Sequence, residues 1–258
     1  MLNARIIPCL LIQNNGLVKT TKFTNPKYVG DPLNAVKIFS DKEADELIVL
    51  DIDATKEKRE PNYSLIENLA SECRMPLCYG GGINNLTQAL KIFSLGVEKI
   101  AISTAAINNI SIVSEIASRV GSQSVVAVLD VKKKMFTNKY EVFFQNGTKS
   151  SGMDMVEYAV KLEHEGAGEL LINSIELDGT MKGYDFTLIK LIRAAVNIPI
   201  TILGGASSLD EMRKIVNEFG VIGLAAGSLF VFKGKFRAVL ISYPTTMEKT
   251  SLLENSFR

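Results

Sequence analysis

Asp130 closes the apolar run Ser124–Asp130, and by alternation it shares a side of the chain with Val128 and Val126. If that side faces an enclosed interior, a lone carboxyl there suits general acid–base work, because partial burial raises its pKa toward neutrality. A structural aspartate bonded to a loop would have the same neighbours in sequence. Asp51 ends another apolar run, Glu46–Asp51, and Asp53 follows it. Either of these supplies a second carboxylate near a substrate or caps the next loop.

Glycines point to a different chemistry. The segments Gly80–Gly82, Asp178-Gly179-Thr180, Gly204–Ala206 and Ala226-Gly227-Ser228 each lie at or beyond the end of a short apolar run. Glycine lets backbone N–H groups approach anionic oxygens closely, and a following helix start adds a favourable dipole. Tight turns alone would explain one such segment; their occurrence in both halves of the chain predicts two phosphate sites and a ligand with two phosphates. Lys19 reaches an anionic ligand from a loop or is solvated.

Four charges form a third set. Arg5, Glu46, Lys99 and Glu169 stand at the starts of apolar runs. Arg5 shares parity with Leu11, Lys99 with Ser103, and Glu169 with Asn173, so all four charges are expected inside if those residues are. Buried charges need partners, since desolvation otherwise costs several kcal/mol each. Two pairs of opposite sign would plug an interior floor or gate a passage through it; ordinary salt bridges at exposed strand ends are the alternative. His164 reads as a solvent-facing helix cap, Cys9 as a small core residue, and Lys132–Lys134 as a solvated loop. The single histidine and the spacing of cysteines and carboxylates provide no metal site, and no cofactor is expected.

The elements that must position these groups alternate along the chain. Strands are predicted at Arg5–Ile12, Glu46–Asp51, Pro76–Gly80, Glu98–Ser103, Ser124–Asp130, Gly168–Asn173, Pro199–Gly204 and Val221–Ala226. Helical periods fall at Pro32–Ala44, Asn62–Cys73, Leu86–Leu95, Ser111–Val120, Met153–Glu165, Phe186–Val196 and Leu209–Phe219. Eight strands with helices between them predict one (β/α)8 TIM barrel over residues 1–258. Its halves, about 1–120 and 121–258, match segment by segment: Ile6–Ile12 lies over Val125–Val131, and Gly80-Gly81-Gly82 over Gly204-Gly205-Ala206. A hairpin insertion is expected at about 133–150, signalled by Asn146-Gly147. In such barrels catalytic groups sit at the C-terminal ends of the strands.

The chain has 258 residues, 47% hydrophobic, with 29 Lys+Arg against 28 Asp+Glu. That balance argues against nucleic acid or an anionic membrane as the main partner. The apolar stretch near the N-terminus is too short for a signal peptide, and no run reaches the roughly 18 residues of a spanning helix. Three cysteines without metal-type spacing read as reduced thiols in a cytoplasm.

Together these residues resemble the cyclase subunit of the imidazole glycerol phosphate synthase family. The likeness is carried by Arg5-Ile6-Ile7-Pro8-Cys9-Leu10, Gly30-Asp31-Pro32, Leu50-Asp51-Ile52, Gly80-Gly81-Gly82-Ile83, Ser103-Thr104-Ala105-Ala106, Gly166-Ala167-Gly168-Glu169, Asp178-Gly179-Thr180 and Gly183-Tyr184-Asp185. The resemblance implies a barrel that accepts ammonia from a glutaminase docked at the N-terminal face and closes an imidazole ring on a bis-phosphorylated ribulosyl substrate. It implies an ammonia gate of Arg5, Glu46, Lys99 and Glu169. It also implies phosphate contacts from Gly82, Ser103, Thr104, Gly179, Gly205, Gly227 and Ser228; Lys19, Asp51 and Asp178, read from the residues themselves, complete the candidate phosphate and substrate contacts.

The departures define the function expected here. Of the family's two catalytic aspartates, Asp130 is present and Leu11 stands in place of the other. Ser103 replaces a common asparagine and Leu203 a small polar residue. The stretch from Gly227 through Lys235 to Tyr243-Pro244 resembles a paralogous branch linked to acetamidino modification of surface-polysaccharide (lipopolysaccharide) sugars. In that branch a barrel and a glutaminase supply ammonia to a separate sugar amidotransferase. Histidine biosynthesis proper, or a conduit without chemistry of its own, are the alternatives.

Overall fold

The expected barrel is observed. In a computed structural model describing residues 4–135, 137 and 139–253, eight parallel strands close on themselves. In chain order they are Arg5–Gln13, Leu47–Asp51, Leu77–Gly80, Lys99–Ile102, Val125–Lys133, Glu169–Ser174, Ile200–Leu203 and Gly223–Ala226. Closure is made where Arg5 pairs with Gly223 and Pro8 with Ala226. Helices Pro32–Asp41, Tyr63–Glu72, Leu86–Ser94, Ser111–Val120, Met155–His164, Phe186–Ala195 and Leu209–Phe219 pack outside.

Local chemistry sets the helix starts. The side chains of Asp31, Asn62, Asn85, Asp154, Asp185 and Ser208 each accept a hydrogen bond from a backbone N–H in the first turn, satisfying donors that the helix leaves open. Apolar side chains then divide by strand alternation. One parity packs under the helices, for example Ile6, Leu10, Val49, Leu170 and Leu224. The other fills the barrel with Ile7, Cys9, Ile48, Cys78, Ala101, Val126, Leu171 and Ala225. No helix among the described residues is long and apolar enough to cross a membrane.

Three features differ from expectation. The fifth strand runs on to Lys133, and the hairpin that follows has strands Tyr140–Phe144 and Lys149–Asp154, ending beyond the predicted 150. Phe136 and Asn138, within that insertion, lie outside the described residues. Its connection is longer than a two-residue turn: Gln145, Asn146 and Gly147 all have left-handed φ (51°, 56° and 67°). A second hairpin, Gly16–Thr21 with Thr24–Gly30, follows the first strand. It turns at Lys22-Phe23 (φ 53° and 60°), both left-handed as a two-residue hairpin turn requires, and Asn14-Asn15 makes the same kind of turn between the first strand and Gly16–Thr21. Lys19 therefore lies on a strand rather than in the predicted loop. Beyond the eighth strand a short helix, Ser228–Val231, leads into a two-stranded hairpin, Phe232–Lys233 with Ala238–Val239, and then helix Thr246–Leu253. Tyr243 fixes that tail by donating to the Ile6 carbonyl at 2.7 Å.

Candidate functional site

At the N-terminal end of the barrel the four charges meet. Arg5 Nη2 lies 2.7 Å from Glu169 Oε1, and its Nη1 pairs with Glu46. Lys99 Nζ stands 2.9 Å from both Glu46 Oε1 and Glu169 Oε2. Each cation thus bridges both carboxylates. Thr201, on the inward parity of the seventh strand, donates to Glu169 Oε1 at 2.5 Å. Burial alone would raise the Glu169 carboxyl, but Arg5 and then Lys99 outweigh it and hold it below the ordinary glutamate range. Burial would likewise lower Lys99, and the two carboxylates reverse that too. The ring is a closed network of opposite charges across the barrel floor.

Above the floor the interior is apolar up to the mouth. Cys78 and Cys9 lie within it, and burial drives Cys78 well above the usual thiol range and Cys9 up to about 11. Both are therefore protonated thiols at neutral pH, which fits Cys9 as a packing residue rather than a nucleophile.

At the C-terminal end the mouth is lined unevenly. Leu11, Leu50 and Leu203 form an apolar wall. Opposite stands Asp130, half-buried, whose carboxyl is pushed up to about 7 by burial, against the opposing effect of the Asn173 side chain, which donates to Oδ1 at 3.3 Å. Asn173 is buried, and its own carbonyl oxygen accepts nothing from the described residues. Asp51 also reaches the mouth, but its Oδ1 accepts from the backbone N–H groups of Asp53 and Ala54, both at 3.0 Å, so it shapes the loop there.

The glycine segments surround this opening on both sides. In the N-terminal half, Gly82 (φ 73°) sits where a Cβ would lie 2.9 Å from the Arg59 carbonyl, and Ser103 and Thr104 open the short helix Thr104–Asn108. In the C-terminal half, a side chain on Gly179 would strike the Thr20 carbonyl, and one on Gly205 the Gly183 carbonyl. Close backbone packing is thus one function of these glycines. Gly227 is different: a Cβ there would fall on the ammonium of Lys19. Lys19 is buried, donates to the Cys9 carbonyl, and is lowered by burial against the opposing pull of Cys9 and Asp178. Asp178 accepts from Thr20 Oγ1 at 2.9 Å and is raised by burial.

The tip of the second-half hairpin leans over the mouth, where Asn146 Nδ2 donates to the Ile52 carbonyl at 2.6 Å. Sequence reasoning missed three contributors. Thr201 and Asn173 carry a readable signal, being polar residues on an inward strand parity. Arg237, whose Nη2 lies 3.2 Å from Ser228 Oγ, carries none.

Comparison with known proteins adds an independent line. A family described as "Histidine biosynthesis protein" matches residues 5–237. A Leptospira borgpetersenii protein provisionally named imidazole glycerol phosphate synthase subunit HisF is 56% identical over 98% of this chain and 99% of its own. A Pseudomonas aeruginosa protein with the provisional name imidazole glycerol phosphate synthase subunit hisF2 is 52% identical over 95% of this chain and 97% of its own. The imidazole glycerol phosphate synthase subunit HisF of Lactococcus lactis is similar at 38% identity over 89% of each chain.

Proposed function

The chain belongs to the histidine biosynthesis protein family, and from that premise we propose that it is an ammonia-using subunit of the imidazole glycerol phosphate synthase type, diverged to serve amidination of a surface-polysaccharide sugar. A glutaminase docks on the face that carries Arg5, Glu46, Lys99 and Glu169. Ammonia released there crosses the charged floor and the apolar interior as the neutral molecule, since ammonium would meet the full desolvation cost of that interior. It emerges beside Asp130, where a ligand with two phosphates is held between the glycine segments of the two halves.

One observation carries the choice of branch. The passage has its charged floor and apolar interior intact, while the mouth offers Asp130 facing a wall of Leu11, Leu50 and Leu203. Leucine neither gives nor takes a proton, so ring closure that needs two acid–base groups is slow while ammonia delivery survives. A second reading, cyclisation for histidine, draws on Asp130 itself, since a carboxyl pushed up to about 7 is poised for proton transfer.

Gene deletion separates the two. Loss of the gene should remove acetamidino groups from the surface polysaccharide, read by mass spectrometry, while growth without histidine continues. Histidine auxotrophy with an unchanged polysaccharide would overturn the proposal.

A further inference from the structure

The large apolar side chains that this barrel leaves in solvent are gathered at one end. Among the described residues seven are exposed, and five of them, Tyr28, Met135, Phe236, Val239 and Leu240, belong to the segments that follow the first, fifth and eighth strands, around the mouth. Phe236 is 90% exposed in the turn of the last hairpin, and Val239 lies on its return strand. A solvated phenylalanine there contributes nothing to the core, and an apolar patch ringed by polar groups marks a surface that another molecule covers.

Packing joins these segments into a collar. A Cβ on Gly147, in the hairpin over 140–154, would lie 3.0 Å from the Phe23 ring at the turn of the hairpin over 16–30. From that same hairpin Lys27 approaches the Phe232 ring at 5.2 Å and lies 3.5 Å from the Arg237 carbonyl, so it meets the hairpin over 232–239. Ser228, at the foot of this last hairpin, lines the mouth. The charge of the collar has one sign. Lys22 and Lys27 are exposed on the first hairpin, and Lys233 and Lys235 on the last. The chain has no Asp or Glu between Gly16 and Gly30, and none between Phe219 and Met247. With a net charge of only +1 over the whole chain, this excess is local.

We propose that the collar centred on Phe236 is the docking surface for the enzyme that consumes the ammonia, and that this partner meets it with an acidic face around an apolar centre. The assignment rests on the reading of the barrel as an ammonia-delivering subunit. Ammonia that escapes into water at neutral pH becomes ammonium, which has no lone pair with which to attack, so its consumer has to cover the rim. A second copy of this chain would set lysines against lysines. An anionic membrane would attract the lysines but gives ammonia nothing to react with. Phe236 supplies the aromatic anchor on which binding energy concentrates, and the lysines around it govern the association rate and the choice of partner.

The test combines the full chain with its glutaminase and the sugar amidotransferase of the same gene cluster. Calorimetry reads the affinity of the barrel for the amidotransferase, and mass spectrometry reads the amidinated sugar. Phe236→Glu should weaken binding about 30- to 100-fold and remove glutamine-driven product, while glutamine hydrolysis and product formation from added ammonium continue at wild-type rates. Lys233→Glu combined with Lys235→Glu should slow association and flatten its salt dependence. If Phe236→Glu melts early, Phe236→Ala takes its place with the same expected direction. Wild-type affinity and wild-type glutamine-driven product in the Phe236 variant overturn the docking surface and leave ammonia delivery standing. A wild-type chain that gives no glutamine-driven product overturns both. Binding to phosphatidylserine vesicles that the Phe236 variant loses, with no binding to the amidotransferase, overturns the protein partner in favour of a lipid surface.

Discussion

Removing the charge of Glu169 should destabilise the barrel by an amount that a second substitution can partly restore. The Glu169 carboxylate meets Arg5 at 2.7 Å, Lys99 at 2.9 Å and Thr201 at 2.5 Å. Glu169→Gln preserves shape and one acceptor oxygen but leaves two cations facing Glu46 alone. Breaking one partner of a buried ion pair costs about 3–5 kcal/mol. The side chains of Arg5 and Lys99 are 26% and 17% exposed, so solvent relieves part of the uncompensated charge and the lower end, about 3 kcal/mol, applies. For a barrel of this size that is a fall in Tm of roughly 6–12 °C. Lys99→Met makes the opposite error, two carboxylates around one arginine, and should cost a similar amount. The double variant returns the floor to one Arg5–Glu46 pair, so its loss should fall short of the summed singles by about 1–3 kcal/mol.

Urea and thermal melts of the four proteins at pH 7 measure this. A pH series adds a sign. Glu169 is held below its unfolded value of about 4.3. Its contribution is therefore present above that value and lost as pH falls through the lower folded one. The gap between wild type and Glu169→Gln should narrow as the pH drops below about 4. Singles that add within about 0.5 kcal/mol, or a gap that does not change with pH, would refute the ring as a coupled network.

Two more outcomes follow from the mouth. The Asp130 carboxyl is raised from the unfolded value of about 3.9 to about 7, so the folded state holds a proton that the unfolded state releases, and this stabilising contribution is lost as pH rises through that window. Asp130→Asn should therefore gain Tm relative to wild type at pH 8 but not at pH 4; equal differences at both would sink the buried-carboxyl account. With ammonium and the bis-phosphorylated ribulosyl substrate, the wild type should cyclise at least about 100-fold slower than a two-aspartate relative, and Leu11→Asp should recover part of that loss. Comparable wild-type turnover would mean that another group, Asp51 or Asp53, has taken the second role.

The barrel was legible because parallel strands under helices leave a plain pattern, short β-branched runs separated by capped amphipathic stretches. Ser111–Val120 and Leu209–Phe219 fall where their periodicity places them. The hairpin Gly16–Thr21 with Thr24–Gly30 was not legible, because the second of its strands is almost wholly exposed and carries no alternation. Its own turn, Lys22-Phe23, has neither of the residue types that mark a two-residue hairpin turn, and Asn14-Asn15 marks only the entry from the first strand. Helix Thr246–Leu253 has little apolar pattern of its own and is held by contacts to other elements, among them the pair its Lys249 makes with Asp45, just before the second strand, at 2.7 Å.

The site divides along the same physical line. Charges at the starts of four apolar runs were readable because burying them unpaired is too costly to occur singly, so each implies the others. The same alternation, applied to the seventh strand, places Thr201 on the inward side with Leu203, and applied to the sixth places Asn173 with Glu169. Hydroxyl and amide groups carry a smaller desolvation penalty than charges, so nothing in the sequence demanded a partner for them. The glycines mislead in a different way. Gly205 and Gly227 look alike in a string of residues, yet one avoids a backbone carbonyl and the other makes room for a lysine from another element. Arg237 lies furthest from any local rule, since its place is set by a hairpin of two-residue strands and by the Phe232 ring beneath it. Lys19 and Arg237 thus reach Gly227 and Ser228 from two hairpins appended to the barrel, so a substitution in either changes the surroundings of that turn without touching the eight strands.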